Sequence, residues 1–202
     1  ATAAFEDFEH ARALEVAESL FWTFCDDYIE LVKDRANDFS GSHDATAVHS
    51  ARTALAIAVD TFVRLFAPFL PFVTEEVWSW YRTGSVHRSA WPQAAGLRAA
   101  AGGANAGLVT RAGLALAALR KVKSEAKTSQ RTPILSVAVT AEPAVADAIE
   151  SVRTDLIEAA KVTGPFEVAR TPASADSSVS PVSVTTVELG EAPARSRSTK
   201  RS

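Results

Sequence analysis

The sequence predicts a mainly α protein: a helical bundle, then a basic helix that leads into a small α/β module. Three observations carry this. Two long stretches in residues 5–67 repeat their apolar residues at helical steps, with no Gly or Pro inside them. A third stretch, LFAPFLPFVTEEVW, is aromatic and broken by two prolines. Beyond Arg131 the pattern turns to β-branched alternation, the mark of strands.

The first helix is expected from about Phe5 to Ala36. Phe8, Leu14, Leu20, Phe21, Phe24, Tyr28, Ile29 and Val32 recur at steps of three and four. Such a wide aromatic stripe predicts deep burial in a bundle. The polar turn NDFSGSHD, Asn37 to Asp44, ends it. The second helix starts near Asp44 or Thr46, either of which can cap it, and runs through Phe62 and Phe66. Pro68 stops it, because proline in a helix interior loses a hydrogen bond and clashes with the preceding turn. Pro71 repeats the break. Thr74 then offers a cap for a short helix with Glu75 and Glu76 in its first turn. The bend should turn Phe66, Phe69, Leu70, Phe72, Val77 and Trp78 inward.

GSVHRSAWP, Gly84 to Pro92, reads as an extended closing segment whose Trp91 packs back on the bundle. Residues 1–92 form the expected bundle. Residues 93–106 are Gly- and Ala-rich with little periodicity, which predicts a flexible loop. A helix over about Gly107 to Lys127 follows, with a narrow seam of Leu108, Ala112, Ala115, Leu119, Val122 and Ala126. Arg120, Lys123 and Lys127 flank that seam. Strands are expected over Thr132–Ala141, Gly164–Arg170 and Pro181–Leu189, with one helix over Glu142–Val162. Pro143 suits the first turn of that helix. Residues 107–189 thus make the second unit, and 190–202 read as a disordered basic tail.

Composition narrows the function. The chain has 202 residues, 47% hydrophobic and 22% charged, an ordinary globular balance. No apolar run approaches the roughly 18 residues of a membrane helix. The acidic N-terminus is not a secretory leader, and a start without Met, in a chain that has none, reads as a cut inside a longer protein or as a processed form. The single Cys25 allows no internal disulfide and no cysteine zinc site, and it fits a reducing cytoplasm. His10, His43, His49 and His87 lack metal-ligand spacing. No phosphate-binding glycine loop, nucleophile elbow or HExxH occurs. Asp26–Asp27 and Glu75–Glu76 are adjacent in helices, so neither pair converges on one atom. Cys25 and His49 have no local sequence that makes them a catalytic pair. No catalytic centre is expected.

The net charge of −3 hides an uneven distribution. Residues 111–131 hold Arg111, Arg120, Lys121, Lys123, Lys127 and Arg131 against Glu125 alone. Two readings follow. The charges are the solvated rim of a helix that docks on another protein or domain, with their stems lying on its apolar seam. Alternatively, they are an electrostatic footprint for nucleic acid.

Four stretches favour the second reading. FEHARALEVAESLFWTFCDDYIELVKDRAN resembles the helix of the anticodon-binding region of class I aminoacyl-tRNA synthetases. LFAPFLPFVTEEVWSWY resembles the proline-bent helix that closes the same bundle. SVHRSAWP is similar to the segment after it, and LRKVKSEAKTSQRTP to the basic helix and loop beyond. The resemblance covers about residues 5–170, and its order and spacing match the valine-specific branch best. The isoleucine branch often adds a cysteine zinc module, which one Cys excludes. The chain departs from many bacterial valine-specific members in ending without a long coiled-coil arm, and helices that the family places before Phe5 are not in it.

The resemblance implies a parent ligase that activates valine with ATP and magnesium and charges a valine-accepting tRNA. The parent's catalytic and editing domains would be further partners, and neither DNA nor a membrane is expected. It implies no cofactor and no catalytic role for this region itself. The residues expected to contact RNA phosphates are Arg120, Lys123, Lys127 and Arg131, followed by Lys33 and Arg35 at the end of the first helix.

Overall fold

The computed structural model describes residues 1–39, 41–174, 176 and 178–192. It is mainly α, with one small sheet, and divides into two compact units, Ala1–Ala106 and Gly107–Ser202. Most of the tail expected beyond residue 190 lies outside the described residues.

The first unit opens with α1 (Thr2–Glu6) and α2 (His10–Thr23). Phe8, at φ 60°, turns the chain between them. A π-helical segment, Phe24–Ile29, then joins α2 to α3 (Glu30–Asn37). The helix expected from Phe5 to Ala36 is therefore divided among four elements, with a break at Phe8 and a π segment between α2 and α3. A π turn inserts one extra residue per turn and shifts the apolar stripe around the axis, which simple periodicity does not reveal. Asp38, in left-handed backbone at φ 44°, ends α3.

α4 (Ala45–Phe66) starts at Asp44, whose carboxylate accepts from the Thr46 and Ala47 amides at 3.0 and 3.1 Å. Of the two expected caps, Asp44 is the one used. An aromatic ladder joins α4 to α2 and the π segment. Phe21 meets Phe62 and Phe66 edge-on, each at 5.4 Å, and Phe24 lies 5.2 Å from Phe62. Edge-to-face pairs of this kind add stability beyond buried area.

The proline bend follows, with one correction. α5 (Pro71–Ser79) begins at Pro71, not at Thr74. Proline at the first helical position has no amide to waste and a preset φ. Thr74 is buried inside the helix, and its hydroxyl donates to the Leu70 carbonyl at 2.8 Å. Trp78 does turn inward, with Val63, Ala67 and Val86. Phe72 does not: it is 89% exposed, and Leu70 is also exposed. Starting the helix three residues early rotates Phe72 to the outer face.

Glu75 carries an unexpected structural role. Its carboxylate accepts from the Ser85 hydroxyl at 2.9 Å and the Val86 amide at 3.0 Å, anchoring a 3-10 turn, Val86–Arg88. Trp91 packs back as expected, 5.3 Å from Phe5, and its indole donates to Thr2. The segment expected as a flexible loop contains α6 (Ala94–Ala101), capped by Gly102 at φ 56°. Alanine has the best helix propensity, and glycine is the favoured left-handed stop.

The second unit begins with α7 (Leu108–Glu125) and β1 (Ile134–Ala141). The one helix expected next is two, α8 (Pro143–Ser151) and α9 (Arg153–Ala160), broken at Val152. β2 (Phe166–Arg170) and β3 (Val182–Leu189) complete a sheet of order β2-β1-β3. β1 is parallel to β2, as a helical crossover requires, and antiparallel to β3. α7 packs on α8, α9 and β3. Leu116, Leu119, Ile134, Ile149 and Leu156 are its sealed core. Gly164 lies against the Leu135 carbonyl, where any Cβ would collide.

All four tryptophans lie in the first unit, so their fluorescence follows that unit alone. Phe62→Ala is expected to cost its unfolding transition about 3–5 kcal/mol through cavity formation. A fluorescence melt with an unmoved midpoint would rule out the aromatic ladder as the bundle's core.

Candidate nucleic-acid interface

Arg120, Lys121, Lys123, Lys127 and Arg131 lie on the last turns of α7 or just after them. The helix ends at Glu125, and the chain reverses through Lys127 in left-handed backbone, φ 52°. The Thr128 amide donates to the Lys123 carbonyl at 3.0 Å. The Thr132 amide returns to the Ser129 carbonyl, and the Thr128 and Thr132 hydroxyls meet at 2.7 Å. The Gln130 side chain reaches back along α7, to the Arg120 carbonyl at 3.3 Å and the Ser124 hydroxyl at 3.1 Å. The loop is thus folded against the helix. Lys127 and Arg131 are exposed on it, and Arg120 is half-buried beside it.

Lys123 corrects the expectation most sharply. It is not on the solvated flank but only 1% exposed, among the most deeply buried side chains described. The sealed stripe of α7 runs Ala112, Leu116, Leu119, Lys123, at steps of four, three and four. The expected seam followed Val122 and Ala126 instead, because a lysine was not counted as a core position. Its ammonium donates to the Gln130 carbonyl at 3.0 Å and to the Ala160 carbonyl at 2.6 Å. A phosphate contact from Lys123 is therefore excluded in this conformation. Burial, and then the charges of Lys161 and Arg120, hold its pKa below the ordinary 10.5.

Lys161 is a basic residue that sequence reasoning missed. It ends α9 in left-handed backbone at φ 57°, is exposed, and its carbonyl accepts from the Ile134 amide at 2.8 Å. Its charge acts on Lys123, so α9 brings it to the same end of α7 as Arg120. Only the chain reversal at Ala160–Val162 makes that proximity, and no local spacing signals it.

Lys33 and Arg35 lie in the first unit, on α3, both half-buried. Lys33 pairs with Glu30 at 2.9 Å. Glu75 is committed to the 3-10 turn, and Glu76 accepts from the Trp80 indole at 3.1 Å. Burial, with Asp26 next to it, pushes the Cys25 thiol up, the opposite of an activated nucleophile. His49 lies by the Thr53 hydroxyl at 3.4 Å. Among the described residues no group of three His, Cys, Asp or Glu could hold a metal ion, and no helix is long and apolar enough to cross a membrane.

The first unit is thus a helical bundle, and the second opens with a basic helix and a folded turn. Residues 1–139 match the family model described as the anticodon-binding domain of tRNA ligase. The chain belongs to that family. Its relatives include the valine–tRNA ligase of Bifidobacterium longum strain DJO10A, 50% identical over 96% of this chain and 22% of the relative. That of Cutibacterium acnes is 51% identical over 80% of this chain and 18% of the relative. That of Thermobifida fusca is 48% identical over 81% and 18%. The chain thus spans about a fifth of the length of these relatives.

Two predictions test the buried lysine. Lys123→Ala leaves a cavity and two unsatisfied carbonyls, and should lower the second unit's stability by about 2–4 kcal/mol. Far-UV circular dichroism during denaturation checks this. Lys123→Met keeps the packing and removes the titration. The unfolded state takes up a proton that the folded Lys123 releases, between its lowered pKa and 10.5. Wild-type stability should therefore rise relative to Lys123→Met as pH climbs through that window. Wild-type stability that falls relative to Lys123→Met with rising pH would contradict the buried-charge assignment.

Proposed function

We propose that this chain binds the anticodon stem and loop of a valine-accepting tRNA as part of a valine–tRNA ligase. The observation that carries this reading is the 50% identity to such a ligase over 96% of the chain. The folded loop after α7 supports it further. Exposed Lys127 and Arg131 and half-buried Arg120 meet backbone phosphates, with Lys33 and Arg35 as further contacts from α3. Phosphate contacts set register, while unstacked anticodon bases supply the sequence information.

The whole ligase joins valine to its tRNA with ATP and magnesium in the cytoplasm. We assign that chemistry to the remaining length of such enzymes, of which this chain spans about a fifth. Catalytic and editing domains are then partners within one chain. The outward Phe72 on α5 and Trp80 just past its end suit packing on such a domain. Docking and RNA binding thus coexist on different elements.

Fluorescence anisotropy against a valine tRNA transcript and an anticodon-swapped transcript tests the reading. A preference for the valine transcript that survives added salt is expected. Equal, salt-sensitive binding to both would reduce the chain to a phosphate-holding module. Lys127→Ala with Arg131→Ala should flatten the log–log salt slope by about 1.5. An unchanged slope would remove these two residues from the interface.

A further inference from the structure

We propose that Lys123 is a positioning residue for RNA binding: its buried ammonium and the Gln130 side chain clamp the turn 126–131 against α7, presenting Lys127 and Arg131 in one fixed arrangement. This rests on the reading that those two side chains meet phosphate.

The position does not need a lysine for packing. A hydrocarbon of the same length would continue the stripe of Leu116 and Leu119 without removing a charge from water. Buried charges are costly, and apolar replacements of similar volume are often neutral or stabilising. What the ammonium supplies that a hydrocarbon cannot is a donor to two carbonyls on separate segments. One is Gln130, in the turn, at 3.0 Å; the other is Ala160, at the end of α9, at 2.6 Å. The turn is thereby tied from within to a helix distant in sequence.

Gln130 ties it a second time from outside. Its carbonyl faces the buried ammonium while its exposed amide spans the Arg120 carbonyl and the Ser124 hydroxyl. One residue is therefore held on both sides of α7's last turns. Arg131 follows it directly, and its amide donates to the Ser129 hydroxyl at 3.2 Å. Lys127 begins the turn, with its amide on the Ser124 carbonyl. A turn held in its bound shape loses less entropy when an RNA backbone docks.

The test uses the full chain with the valine tRNA transcript and four variants. Lys123→Met removes the inner tie and Gln130→Ala the outer side-chain tie. Lys123→Arg retains a donor. Lys127→Ala with Arg131→Ala removes the contacts themselves. Anisotropy gives affinity and salt slope, and hydrogen exchange follows the Thr128, Arg131 and Thr132 amides.

Lys123→Met and Gln130→Ala should each weaken binding by about threefold to tenfold. They should keep the salt slope, because the same phosphates are met once bound, and speed exchange at the three amides. Lys123→Arg should recover part of the affinity. A merely structural lysine would move the melting transition without this combination. Wild-type affinity and exchange in Lys123→Met and Gln130→Ala, beside a flattened slope in the double variant, would overturn the positioning role alone. An unaltered slope in the double variant would overturn the phosphate reading and this proposal together. Should Lys123→Met not fold, wild-type affinity in the exposed Gln130→Ala variant overturns the clamp.

Discussion

A single ammonium sealed between α7, the turn after it and the end of α9 organises the second unit. Its nitrogen reaches the carbonyls of Gln130 and Ala160, residues brought together only by the βαβ path. α9 ends where its last carbonyl is needed, and β1 begins where the Ile134 amide meets Lys161. Thr132, fully buried, satisfies its hydroxyl on Thr128 beside this junction. The sheet, the crossover and the basic turn meet at one point, and buried polar groups there are satisfied by one another.

The first unit solves its problem with rings instead. Phe21 meets Phe62 and Phe66 edge-to-face, Phe24 tilts against Phe62 from the π segment, and a second set, Phe5, Phe69 and Trp91, closes the end of the bundle. The proline bend lies between these sets. Pro71 starts one helix at the place where the previous one has been stopped, so Trp78 returns to Val63 and Ala67. Rigid ring packing asks little of hydrogen bonding, which leaves polar side chains such as Glu75 free to fasten the closing turn.

Much of this was legible in the sequence. Helical periodicity located the bundle, Asp44 was among the expected caps, and β-branched alternation located all three strands. The family resemblance rested on FW-FCDDYIELVK and the proline bend, and the match over residues 1–139 agrees with it. The misses share a cause: each depends on a context that composition does not carry. The π segment changes helical phase without special residues. Thr74 looks like a cap but sits one turn inside a helix that proline had already begun. Lys123 occupies a core step, and only the carbonyls of distant segments make that tolerable. Lys161 reaches the basic cluster through tertiary folding alone.

Lys127 and Lys161 both stand in left-handed backbone, at φ 52° and 57°, just past the ends of α7 and α9. Glycine, which has no Cβ, is the residue best suited to that conformation, and a lysine gives up about 1–2 kcal/mol there. The chain thus accepts a less stable stop at two helix ends and places a cation at each. Selection for heat resistance alone would drift toward glycine at both sites, and the protein that emerged would be sturdier, less basic at this end of the helix, and poorer at attracting a polyanion.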